Sequence, residues 1–100
     1  VTGATGFVGR KLVAALHKRG ALCLCLVREQ SRWKEARDMA PGAKFIYGSL
    51  LDEDVVSRLF ADVHIDTVVH LAAVHDATSS DVVYSSNLDS TRNMVTAAKE

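Results

Sequence analysis

Three glycines at a spacing of three, Gly3, Gly6 and Gly9, stand in the opening run Val1-Thr2-Gly3-Ala4-Thr5-Gly6-Phe7-Val8-Gly9. They follow what reads as the end of a strand and lead into an amphipathic helix pattern. A strand-to-helix turn without side chains lets phosphate groups reach backbone N–H groups, and it aims the positive end of the helix dipole at them. The chemistry this implies is binding of a dinucleotide pyrophosphate, with Gly3, Thr5, Gly6, Phe7, Val8 and Gly9 as the cradle. The rival phosphate motif, G-x-x-x-x-G-K-[ST], fails because Arg10, Lys11 and Leu12 follow Gly9. A P-loop kinase or ATPase is not supported.

Such a turn needs a strand before it and a helix after it. From Phe7 to Arg19, the apolar residues Val8, Leu12, Val13, Ala15 and Leu16 make one helical stripe, and Gly20 is a natural stop. Ala21 to Val27 is a nearly unbroken apolar run, short enough for a strand buried on both faces. Ser31 can cap a short helix carrying Trp33, Ala36 and Met39, which Pro41-Gly42 ends. Lys44 to Tyr47 reads as a third strand. Asp52-Glu53-Asp54 marks a helix start, followed by Val55, Val56, Leu59 and Phe60 on one face. Asp66 to Leu71 reads as a fourth strand, and a polar loop from His75 to Ser80 leads to a helix from about Asp81 to Lys99. The apolar stripe expected on that helix is Tyr84, Asn87, Leu88, Thr91, Met94, Val95 and Ala98.

Strands alternating with helices predict an α/β fold of Rossmann type. Its features would be a doubly wound parallel sheet of order 3-2-1-4, right-handed crossovers and helices on both faces in a three-layer sandwich. The ligand then lies at the carboxyl ends of the strands, where strands 1 and 4 diverge. The 100 residues suit one small domain or part of a larger one. Only two residues precede Gly3, and Ala97-Ala98-Lys99-Glu100 stops in mid-helix pattern, so a Rossmann domain over 1–100, incomplete at both ends, is expected.

Composition narrows the partners. The formal net charge is zero with 24% charged residues, and no Lys/Arg block is present, which argues against nucleic acid or an anionic membrane surface. No apolar run approaches the ~20 residues of a membrane span. Cys23 and Cys25 lie two apart, too close for easy disulfide geometry, and read as buried reduced thiols of a cytoplasmic compartment. His70, His75 and Asp76 lack a recognised ligand spacing, so no metal is expected.

Beyond the glycines, Thr2-Gly3-Ala4-Thr5-Gly6-Phe7-Val8-Gly9 matches the TGxxGxxG loop of short-chain dehydrogenases/reductases. With Gly48-Ser49-Leu50-Leu51-Asp52, His70-Leu71-Ala72-Ala73 and the N-x-x-x-T-x-N-x-x-x-A-A run from Asn87 to Ala98, the chain resembles the extended branch, the NAD-dependent epimerase/dehydratase family. The motifs lie along the whole chain in family order.

The resemblance implies an NAD(P)-dependent enzyme, an epimerase, dehydratase or reductase. It would transfer hydride at a carbonyl or carbinol carbon of a nucleotide sugar or related substrate, as a homodimer. The place usually held by a ribose-binding carboxylate falls at Val27, with Arg28 next. Arg28 can pair with a 2′-phosphate, so NADP is the expected cofactor, and Glu29 keeps NAD open. Where the family carries an Asp toward the adenine amino group this chain has Ser49, which shifts adenine anchoring to the backbone and Leu50. Leu71, Ala72 and Ala73 border the nicotinamide side. Asn87 corresponds to the asparagine that supports a proton relay to the catalytic lysine. The catalytic Tyr-x-x-x-Lys pair is absent from the 100 residues. Family order places it, with the substrate domain, beyond Glu100, and the fragment alone is expected to be inactive. The alternative reading is a non-catalytic NAD(P)-sensing regulator, since Arg10 directly after the last glycine also occurs in such relatives.

Overall fold

The computed structural model describes residues 1–28, 34, 37–38, 41–72 and 80–99. Its elements are α1 (Phe7–Lys18), β1 (Leu24–Val27), β2 (Lys44–Tyr47), α2 (Glu53–Asp62) and α3 (Ser80–Lys99). Lys34, Arg37 and Asp38 are helical; the rest of the helix expected after Ser31 lies outside the described residues. The chain forms two compact units, Val1–Gly48 with Val69–Leu71, and Ser49–Val68 with Ala72–Glu100.

In the first unit β1 and β2 pair in parallel, from Leu24 opposite Lys44 to Val27 opposite Tyr47. Thr2 makes isolated parallel bridges to Leu26 and to His70. The expected first and fourth strands are therefore each present as one bridged residue, Thr2 and His70. The segment from Asp66 to Leu71 bridges Thr2 at His70, with Thr2 N–H donating to Val69 O and Leu71 N–H donating to Thr2 O. The second strand is also shorter than the apolar run. Gly20 N–H donates to His17 O and Ala21 N–H to Leu16 O, which ties Ala21 into the stop of α1.

Cys25, Leu26 and Val27 are buried in succession, as a parallel strand covered on both faces requires. Cys25 and Val27 meet Ala4, Val13 and Cys23 in a core that Val1, Leu16, Ala43 and Phe45 complete. Both cysteines are free, and burial pushes the Cys25 thiol up to about 11, which keeps it protonated and inert. The buried line of α1 runs through Gly9 and Val13, while Val8 is 63% exposed, so the expected stripe is rotated. A residue without a side chain at position 9 lets the helix backbone itself approach the loop.

In the second unit the Asp52 carboxylate caps α2, accepting from the N–H groups of Asp54 at 3.1 Å and Val55 at 3.3 Å. Val56 is buried on the face of α2, and α2 packs against α3. The buried residues of α3 are Ser90, Met94 and Ala97. This corrects the expected stripe: Met94 is buried and Asn87 half-buried, but Tyr84, Leu88, Thr91, Val95 and Ala98 are exposed. Small residues let α3 approach its neighbour closely. The buried Ser90 hydroxyl is satisfied by donating to Ser86 O at 2.8 Å.

Candidate dinucleotide site

Gly3 has φ of 71°, the left-handed turn that carries the chain out of its bridge. Gly6 N–H donates back to Gly3 O at 3.1 Å, closing a tight turn, and Arg10 N–H donates to Gly6 O, starting α1. A Cβ at Gly9 would lie 1.9 Å from Gly3 O and 2.8 Å from Ala4 Cα, both backbone atoms. Glycine is therefore a steric requirement at position 9. At Gly6 a Cβ would meet nothing nearer than Gly3 O at 3.4 Å, so the fold does not demand a glycine there.

The start of α1 differs from that of α2. No side chain caps it and no acidic residue occupies its first turn, whereas α2 carries its own carboxylate cap. Phe7 is 69% exposed, with the Lys11 ammonium 4.1 Å above its ring. An exposed, uncapped helix N-terminus behind a turn of small residues fits a pyrophosphate.

Register brings the other candidates of this unit to the same end. Thr2 is bridged to Leu26 and His70, so Gly3, Val27-Arg28 and Leu71 all leave their parallel segments in the same direction. Val27 is buried and Arg28 exposed. Leu71 is 38% exposed.

Ser49, Leu50, Ala72 and Asn87 belong to the second unit. The Ser49 hydroxyl accepts Leu51 N–H at 3.1 Å, Leu50 is buried, and Ala72 and Asn87 are half-buried. Ala73 and Glu29, with His75 and Asp76, lie outside the described residues. Among the described residues no three His, Cys, Asp or Glu side chains are grouped to hold a metal, and no helix is long and apolar enough to cross a membrane.

One polar bracket was not singled out from sequence. Thr2 is 1% exposed, its hydroxyl lies 2.6 Å from His70 Nδ1, and it accepts Leu71 N–H at 3.1 Å. Burial lowers the His70 pKa, favouring the neutral ring. The hydroxyl that accepts from Leu71 keeps its own proton, which it can donate to Nδ1 of the neutral ring. The available signal was a threonine directly before the first glycine and a histidine before Leu71, both potential hydrogen-bonding groups at strand ends.

Known proteins resemble this chain in sequence and in fold. UDP-glucose 4-epimerase of Lactobacillus helveticus is 37% identical over 73 residues, 73% of this chain and 22% of that protein. A solved short chain dehydrogenase/reductase family protein superposes with a TM-score of 0.82 at 27% identity, over 98% of this chain and 46% of that one. UDP-glucose 4-epimerase from Bifidobacterium longum, solved in complex with NAD+ and UDP, superposes with a TM-score of 0.78 over 98% of this chain and 32% of that one. At 22% identity this likeness speaks for the fold alone. The chain spans between 22% and 29% of the length of the curated relatives it matches. The profile of the NAD dependent epimerase/dehydratase family matches residues 1–100. With the Gly3–Gly9 turn, the parallel bridges and these likenesses in agreement, the chain belongs to the NAD-dependent epimerase/dehydratase family.

Proposed function

We propose that these residues are the cofactor-binding part of an oxidoreductase, epimerase or dehydratase that works by hydride transfer on a nucleotide sugar or a related carbonyl or alcohol substrate. The observation that carries this reading is the joint departure of Gly3, Arg28 and Leu71 from neighbouring parallel segments beside an uncapped helix N-terminus. The close approach of α1 to Gly3 at Gly9, where a Cβ would meet backbone, supports this reading. When bound, the nicotinamide supplies the hydride donor and acceptor. The chain's residues bind and orient it: Gly3, Thr5, Gly6, Phe7, Val8 and Gly9 at the pyrophosphate, Ser49 and Leu50 at the adenine, Leu71, Ala72 and Ala73 at the nicotinamide. Asn87 supports a proton relay to a Tyr/Lys pair that lies, with the substrate domain, outside these 100 residues; the 100 residues alone are inactive. The fold in this reading is the full 3-2-1-4 sheet between two helical layers, and the setting is cytoplasmic, in keeping with the free buried thiols.

The reading includes a preference for NADP. The end of β1 offers a buried Val27 where a carboxylate would repel a 2′-phosphate, and an exposed guanidinium follows at Arg28. Loss of a charge-assisted phosphate contact is worth about tenfold or more in affinity. Titration of the protein with NADPH and NADH should show tighter NADPH binding, and Arg28→Ala should remove about tenfold from NADPH alone. Equal loss for both cofactors contradicts the preference.

The reading also includes a homodimer through α3. Tyr84 is 72% exposed, and Leu88, Thr91 and Val95 continue that face at helical spacing. Sedimentation at micromolar concentration should give the mass of two chains. A monomer there contradicts it.

A further inference from the structure

Besides the bonds by which Asp52 caps α2, the turn at Ser49–Asp52 carries three hydrogen bonds of different reach. Ser49 O accepts Asp52 N–H at 3.1 Å, and the Ser49 hydroxyl accepts Leu51 N–H at 3.1 Å. Both fix the shape of the turn and neither fixes its place. The third comes from α3: Asn93 Nδ2 donates to Leu50 O at 2.9 Å, across 43 residues of sequence.

Asn93 stands beside Met94 on the side of α3 that buries Ser90, Met94 and Ala97. An apolar residue would pack at such a half-buried position without needing a partner. The amide is accounted for by the carbonyl it reaches. Leu50 itself is 7% exposed, so its carbonyl has little access to water if that donor is lost. The Ser49 hydroxyl uses one lone pair inside the turn and keeps its proton and second lone pair for an adenine ring, beside the backbone and the Leu50 side chain.

We infer that Asn93 is a positioning residue for the adenine end of the dinucleotide, holding the Ser49–Asp52 turn in register from α3 through the Leu50 carbonyl. The inference rests on the proposed dinucleotide site and deepens it. Asn93 touches no reacting atom; it acts by setting where Ser49 and Leu50 stand.

The test separates the two ends of the cofactor. The complete protein is titrated with ADP-ribose, which carries adenine, and with nicotinamide mononucleotide, which does not. Asn93→Leu, which fills the volume without a donor, should weaken ADP-ribose about tenfold and change the mononucleotide by less than about twofold. Asn93→Asp, isosteric but unable to donate, should behave like Asn93→Leu. Asn93→Ser, smaller and without the amide, reads the same effect if Asn93→Leu does not fold. Unchanged ADP-ribose affinity in folded variants overturns the inference and leaves the dinucleotide site standing. So does equal loss of both ligands with a lowered unfolding midpoint, which is a merely structural role. Failure of the unaltered protein to bind ADP-ribose overturns the dinucleotide site itself and the inference with it.

Discussion

Gly9→Ala should both destabilise the protein and abolish dinucleotide binding. The new Cβ would sit 1.9 Å from Gly3 O, 2.7 Å from Gly3 C and 2.8 Å from Ala4 Cα. These are backbone atoms of the turn, so relief requires moving the loop against α1 rather than rotating a side chain. Overpacking of this kind costs about 3 kcal/mol, read as a lower midpoint in urea. Displacing the turn also takes backbone N–H groups off the phosphates, and each such bond to a charged group is worth tenfold or more, so affinity should fall about a hundredfold. Gly6→Ala is the control. Its φ of −77° suits alanine and its nearest neighbour stays at 3.4 Å, so stability should change by less than about 1 kcal/mol. If Gly9→Ala is as stable and binds as well as the unaltered protein, the close approach of α1 to Gly3 is wrong.

Thr2→Val should be the next largest effect, although the two side chains have nearly the same shape. The substitution leaves His70 Nδ1 without the hydroxyl at 2.6 Å and takes one acceptor from Leu71 N–H, in a position 1% exposed. Losing both hydrogen bonds of one hydroxyl costs about 1–3 kcal/mol, and Thr2→Ser, which restores the hydroxyl, should recover most of it. The same bracket gives stability a pH dependence. Burial lowers the His70 pKa in the folded state, so the unfolded chain takes up the proton first as pH falls. The contribution of neutral His70 is complete above its ordinary value of 6.5 and is lost as pH falls from there toward the folded pKa. Urea midpoints between pH 7.5 and 5 should fall with acid in the unaltered protein and flatten in His70→Asn, which keeps an acceptor near Nδ1 but does not titrate. An identical acid slope in His70→Asn would place the titration elsewhere.

Local signals made much of this fold legible. The Gly3–Gly9 spacing, the Gly20 stop and the Asp52 cap each act within a few residues, and each stands where its chemistry places it. The buried faces were less legible. On α1 the line passes through Gly9 instead of Val8, and on α3 through Ser90 and Ala97 instead of Leu88 and Val95. Hydropathy ranks Leu and Val above Gly and Ser, but close helix approach selects for small size, which hydropathy does not weigh. Of the expected fourth strand, Asp66 to Leu71, the structure shows the parallel bridge of His70 to Thr2 with its flanking hydrogen bonds. The turn could be read because its shape depends on missing side chains at fixed spacing. The Thr2–His70 contact could not, since it joins residues 68 apart and only the packed strands bring them together.

The central claim is that the turn from Gly3 to Gly9 holds the pyrophosphate of a nicotinamide dinucleotide. A crystal structure of the protein soaked with NADP tests it most directly. The account predicts pyrophosphate oxygens within hydrogen-bonding distance of the Phe7 and Val8 backbone N–H groups, with the 2′-phosphate at Arg28. A dinucleotide bound elsewhere, or crystals that stay empty at saturating NADP and NAD, would contradict it.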